Sequence, residues 1–170
     1  MKQNMKKYFK MVVLASLAAL AVSCTDPIKS LTGGYSYQVA RQEVSIDDTL
    51  GVVLTSEIGA LQMEQTQDNE ILLTFNSMKG DVYTTTGKVE DKTITLAPFS
   101  RTLTVTYTIT QEDLLRPVDK TVNEAYNIEV TGEAEIHDET IHFLLQYAGT
   151  GVSTDKKISG EDILMIAKKN

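Results

Sequence analysis

Few residues in this chain combine the type and the spacing that chemistry needs. The two histidines, His137 and His142, could begin a zinc site, but zinc needs three or four convergent ligands. They stand at the two ends of one short stretch, in a turn and on a polar strand face, and read as surface histidines. Glu129, Glu133 and Glu135 share one face of an alternating run. Neighbours on one strand face lie about 6.6 Å apart, close to the carboxylate spacing of glycosidases. That face is opposite Tyr126, Ile128 and Val130, so these acids read as solvating groups. Ser159 has no histidine near it, and no Gly-x-Ser-x-Gly turn occurs. Asp47-Asp48 lacks calcium-loop spacing and reads as an acidic loop tip. No glycine-rich phosphate loop follows a strand and opens a helix. No catalytic constellation, metal or cofactor is therefore expected, and the chain reads as a non-enzyme.

The chemistry that does stand out is at Cys24, the only cysteine. Lys2, Lys6, Lys7 and Lys10 precede an apolar run from Met11 to Val22. A basic segment, an apolar segment and small residues make a secretory signal. Twelve helical residues reach about 18 Å, too short for a hydrocarbon core of about 30 Å. The end of the run, Ala21-Val22-Ser23-Cys24, resembles the lipobox of bacterial lipoproteins, with Ala21 in place of the usual leucine. The resemblance implies cleavage before Cys24 and acylation of its thiol. Two or more acyl chains hold a protein firmly on a membrane. Lipidation also removes the one thiol, so disulfides and cysteine catalysis are not expected. The expected division is a signal peptide at 1–23, a lipidated tether at 24–31 and one domain at 32–170. Within the exported part, Asp48-Thr49-Leu50 resembles the O-glycosylation sequon of Bacteroidetes, which makes Thr49 the candidate acceptor.

Removing residues 1–23 leaves 170 − 23 = 147 residues and a charge of 12 − 23 = −11. Such a balance speaks against nucleic acid as a partner and against a polybasic membrane patch. The length suits a single domain, and with no Trp the core must come from Val, Ile, Leu, Tyr and Phe.

The elements that must carry these residues are strands. In TLTVTYTIT, residues 102–110, Leu103, Val105, Tyr107 and Ile109 fall on one face and five threonines on the other. Residues 126–136 repeat the pattern, with Gly132 suggesting a bulge or a tight bend. Ile71, Leu73 and Phe75 alternate, as do Ile141, Phe143, Leu145 and Tyr147. Turns are expected at 67–69, 78–80, 90–91 and 137–139. DILMIAKK near the end reads as a closing strand, with a short helix as the alternative. Nine or ten strands joined by short turns form an antiparallel meander, and closing it into a barrel removes the free edges. Longer connections are expected at 111–123 and 148–158. The apolar faces should point inward, because the chain has few aromatics for membrane girdles and its polar faces carry Thr and Glu.

With the lipobox, Leu31-Thr32-Gly33-Gly34-Tyr35 before the first strand, ILLTFNSMKGDV (71–82) and KTITLAPF (92–99), the chain resembles the calycin-like, or lipocalin-like, lipoproteins of Bacteroidetes. The resemblance implies an all-β antiparallel calycin-type barrel in the cell envelope, anchored at the outer membrane, and it brings no catalytic residues. Lipocalins open on Gly-x-Trp, so Tyr35 or Tyr37 would stand at the barrel floor. Eight-stranded barrels are filled or hold one small ligand. The first functional expectation is a small apolar or amphipathic ligand framed by Leu73, Phe75, Val105, Tyr107, Ile128 and Phe143. The second is a filled barrel that contacts an envelope protein through the 111–123 segment, where Leu114 and Leu115 are the apolar pair.

Overall fold

The computed structural model describes residues 27–47, 50–54, 56–112 and 116–170. Cys24, Thr49, Leu114 and Leu115 lie outside the described residues. A single helical turn, α1 (Pro27–Leu31), precedes eleven strands: β1 (Gly33–Arg41), β2 (Glu43–Ile46), β3 (Leu50–Val53), β4 (Ile58–Gln67), β5 (Glu70–Ser77), β6 (Val82–Glu90), β7 (Thr93–Leu96), β8 (Phe99–Glu112), β9 (Pro117–Ile136), β10 (Thr140–Gly151) and β11 (Lys157–Lys169).

Several of these are pieces of one stave. β1 and β2 both pair with β11, and β3 and β4 pair with β2 and β1 in turn. β7 and β8 pair with successive parts of β9 and are separated only by Ala97-Pro98. Proline has no N–H to give a ladder, so the strand kinks there. The wall runs β1-β4-β5-β6-β7-β9-β10-β11, and β11 returns to β1, with Tyr35 opposite Lys169 and Val39 opposite Met165. The result is a closed eight-strand antiparallel barrel in meander order. The expected all-β barrel is thus the observed one, and the last segment is its closing strand rather than a helix.

Alternation explains why the wall closes with this face inward. Ile71, Leu73, Phe75, Val105, Ile128, Val130, Ile141 and Phe143 are buried, whereas Thr102, Thr104, Thr106 and Thr108 are exposed. Asp68-Asn69, Met78-Lys79-Gly80 and Asp91-Lys92 make the turns. Gly80 adopts φ +95 in its turn, a conformation that costs glycine little. No described helix is long and apolar enough to cross a membrane.

Three expectations change. The first is the tether. Residues 27–31 form α1 instead of free chain, with Ile28 3% and Leu31 4% exposed. The Tyr35 hydroxyl donates to the Leu31 carbonyl at 2.9 Å and Lys169 Nζ to the Ser30 carbonyl. α1 thus plugs one end of the barrel over Tyr35. Ile28→Ser and Leu31→Ser are each expected to lower stability by about 2 kcal/mol in urea titrations. Unchanged midpoints in both would show that α1 is not part of the core.

The second is the pair of long connections. Most of 111–123 is strand: β8 and β9 continue together as a two-stranded arm whose pairs run out to Glu112 and Pro117. The β10–β11 connection shrinks to 152–156. Residues 116–121 are exposed throughout, so the arm carries a polar, loop-like composition although its strands pair. The third is Gly132, where the β9–β10 register runs without a shift. Glycine is needed there for close approach, since a Cβ would meet the Leu144 carbonyl oxygen at 2.3 Å.

Candidate functional site

At the end of the barrel away from α1, three charged residues continue apolar faces into the interior. Arg101 lies two positions before Leu103 in β8, so it points inward with Leu103, Val105 and Tyr107. Glu57 precedes β4 in step with Leu61 and Met63. Glu124 precedes Tyr126 in step with Ile128 and Val130 in β9.

Glu57 and Arg101 form a bidentate ion pair, with Nη1 donating to Oε1 at 3.0 Å and Nη2 to Oε2 at 2.9 Å. Each side chain is only 9% exposed. The hydroxyls of Tyr37 and Tyr83 also donate to Oε1, at 2.9 and 3.0 Å. The guanidinium sits over the Tyr83 ring at 4.9 Å and the Tyr147 ring at 5.5 Å, an arrangement that suits its planar, weakly hydrated charge. Gln42 Nε2 reaches the Tyr147 hydroxyl at 3.5 Å. Burial alone would raise the Glu57 carboxyl. The hydrogen bonds and charge of Arg101, aided by Tyr37 and Tyr83, outweigh it and hold the group below the usual carboxylate range. Burial pushes the Tyr37 and Tyr83 hydroxyls up, so both stay protonated as donors. Arg101 Nε is buried with no hydrogen-bond partner.

Gly59 seats this cluster. A Cβ there would lie 2.7 Å from the Tyr37 ring and 2.3 Å from the Asn76 carbonyl oxygen, so only glycine lets Tyr37 lie flat enough to reach Glu57. Next to the ion pair is an aromatic slab. Phe75 and Tyr83 stack at 4.9 Å, Tyr83 and Phe99 at 5.5 Å, and Phe143 meets Phe75 edge-on at 6.0 Å. Tyr37 adds a second edge contact to Phe75 at 5.7 Å. Such pairs add to area burial, and they fill the middle of the barrel.

A cleft of about 310 Å³ opens beside the ion pair. Leu54 and Leu103 give it apolar walls, while Gln42, Glu57 and Lys79 give it polar ones, and Thr104 and Thr106 of β8 border it with Asn123 of β9. A pocket with apolar walls and a few convergent polar groups is the form that ligand sites take. A general base works best with a pKa near the operating pH. Glu57, held low and accepting four hydrogen bonds from three side chains, is suited to binding and positioning rather than to proton transfer.

A second cluster ties down the arm's base. The Glu124 carboxylate accepts from the Tyr126 hydroxyl at 2.9 Å, the Tyr107 hydroxyl at 3.1 Å and Thr154 Oγ1. Lys156 Nζ donates to the Tyr107 hydroxyl at 2.7 Å. Burial acts to raise the Glu124 carboxyl, but the Thr154, Tyr126 and Tyr107 hydrogen bonds with the Lys156 charge bring it below its ordinary value. The β10–β11 turn is thereby fastened to the root of β8–β9.

The residues singled out from the sequence fall as follows. Leu73, Phe75, Val105, Tyr107, Ile128 and Phe143 all point inward and are at most 6% exposed. They belong to the packed interior, and the cleft is lined by other residues. His137 and His142 lie at the α1 end of the barrel with ring centroids 4.3 Å apart. Among the described residues no group of three or more His, Cys, Asp and Glu side chains is placed to hold a metal. Glu129, Glu133 and Glu135 are exposed on the outer face. Asp47 Oδ1 accepts from the Lys157 amide at 2.9 Å, pinning the β2 end to β11. Sequence reasoning missed Glu57, Arg101 and Glu124, although extending each alternation by one or two steps places all three on an apolar face.

No family model matches the chain, and no curated protein matches it. Among solved structures, a redesigned beta barrel is similar over 87% of this chain and 98% of its own, at 9% identity and a TM-score of 0.40.

Proposed function

We propose that this chain is a lipid-anchored protein of the cell envelope, held at the outer membrane through Cys24, that binds a small amphipathic molecule without catalysis. The observation that carries the reading is the cleft beside Glu57 and Arg101. Leu54 and Leu103 suit an apolar body, and Gln42, Glu57 and Lys79 suit a hydrogen-bonding head. The interior beneath is filled by aromatic rings, so the ligand sits at the barrel mouth rather than along its axis. About 310 Å³ is at the small end of ligand sites. Only two residues, 25 and 26, separate Cys24 from α1, about 10 Å of chain. The α1 end therefore stays at the bilayer, and the cleft faces away from it.

The test is native mass spectrometry of the Cys24→Ser chain without its signal, after incubation with a lysate of its own cells. A reproducible added mass, lost on denaturation and lost in Leu103→Arg, is the expected result. A clean apo mass would overturn ligand binding. It would leave the second reading, a filled barrel that contacts an envelope protein through the β8–β9 arm. That reading is favoured by the exposure of residues 116–121 along the arm, including Val118 at 47%.

A further inference from the structure

The barrel wall splits between β6 and β8. Before Gly87, over residues 82–86, β5 is the only strand paired with β6 among the described residues. Among the described residues β8 is hydrogen-bonded to β9 on one side and to no strand on the other along its fourteen residues. Natural proteins blunt such edges with lysine, proline, bulges or brevity. Residues 102–110 carry none of these. They are TLTVTYTIT, uncharged throughout, with the threonines exposed.

The same nine residues are self-complementary. Turned antiparallel about Thr106, the strand sets Thr102 opposite Thr110, Leu103 opposite Ile109, Thr104 opposite Thr108 and Val105 opposite Tyr107. Threonine meets threonine on the outer face and apolar meets apolar on the inner face. These are favourable cross-strand pairs. A two-fold axis places one patch against its own copy, and no like charges face each other in this stretch, although the chain as a whole is acidic. We infer that two copies of this chain pair edge to edge through β8, antiparallel about Thr106, to make one continuous sheet across the dimer. The partner strand runs along the cleft rim at Thr104 and Thr106. The inference stands apart from the ligand reading, because it rests on the edge alone.

The experiment uses the full chain purified in detergent. Sedimentation equilibrium is expected to give a two-chain protein mass. Thr106→Cys sits on the axis, where directly opposed Cα atoms are about 4.5–5.5 Å apart, within disulfide reach. Mild oxidation should cross-link it to its copy, while Thr102→Cys, opposed to Thr110, should stay uncross-linked. Thr104→Lys with Thr108→Lys faces like charges and should halve the mass with the melting temperature kept. Thr104→Glu with Thr108→Lys faces opposite charges and should retain the dimer. A one-chain mass at tens of micromolar overturns the inference. So does a dimer that survives the double lysine variant, which would place the contact elsewhere, or a one-chain protein that captures a foreign extended peptide along β8.

Discussion

Arg101→Met is expected to lower the unfolding free energy by about 3–5 kcal/mol, read by urea denaturation at neutral pH. The substitution fills much of the same space but leaves the Glu57 carboxylate buried at 9% exposure with only the two tyrosine hydroxyls as donors. Most of the loss is the cost of that unpaired charge rather than the worth of the pair. The double variant Glu57→Gln, Arg101→Met should therefore recover most of the stability, since replacing a whole buried pair by neutral groups is often nearly neutral. The pH dependence separates the two forms. In the native chain Glu57 titrates below its ordinary value, so its contribution is full above the unfolded pKa and is lost as pH falls through the folded one. Without Arg101, burial dominates and raises the folded pKa. The contribution then is full below the unfolded pKa and is lost as pH rises. Arg101→Met should thus gain on the native chain as pH drops from 7 toward 4. A loss under 1 kcal/mol, or parallel pH profiles, would show that the pair is solvated in solution.

Phe75→Ala is the second large effect, again about 3–5 kcal/mol. Phe75 is 1% exposed and touches Tyr37, Tyr83, Phe99 and Phe143 through its ring. Its removal opens a cavity that the β-barrel wall cannot collapse to fill, because β5, which carries Phe75, is hydrogen-bonded to β4 on one side and to β6 on the other. Phe75→Leu should cost much less. The same variant reports on where a ligand lies. With the site in the cleft, the added mass seen by native mass spectrometry persists in folded Phe75→Leu. If that variant folds and loses the added mass, the ligand enters the interior, as the alternation alone had suggested for Leu73, Phe75 and Phe143.

Alternation made the strands, their inward faces and most turns legible, because a period of two leaves no other regular structure that sorts apolar from polar residues. The closing strand was legible too, from Ile163, Met165 and Ala167 in step. The arm was not, because a segment exposed on both faces carries turn-like composition whether or not it pairs. α1 was hidden for a different reason: Ile28 and Leu31 are two apolar residues with no period, and only the open end of a barrel gives them a place to be buried. The charged cluster was half legible. The parity of Arg101 and Glu124 marks them as inward, yet an inward charge is usually the end of a strand rather than a partner in a pair.

The sequence by itself determined the fold class and the inward and outward faces of the alternating strands, the threonine run 102–110 among them, since these follow from local pattern and β-propensity. Only the tertiary structure decided that Glu57 meets Arg101, forty-four residues away, that the aromatic rings pack together in the barrel, and that among the described residues β8 pairs with β9 alone. Each depends on which strands become neighbours when the wall closes. Strand register is set by the whole sheet, and no single strand carries it.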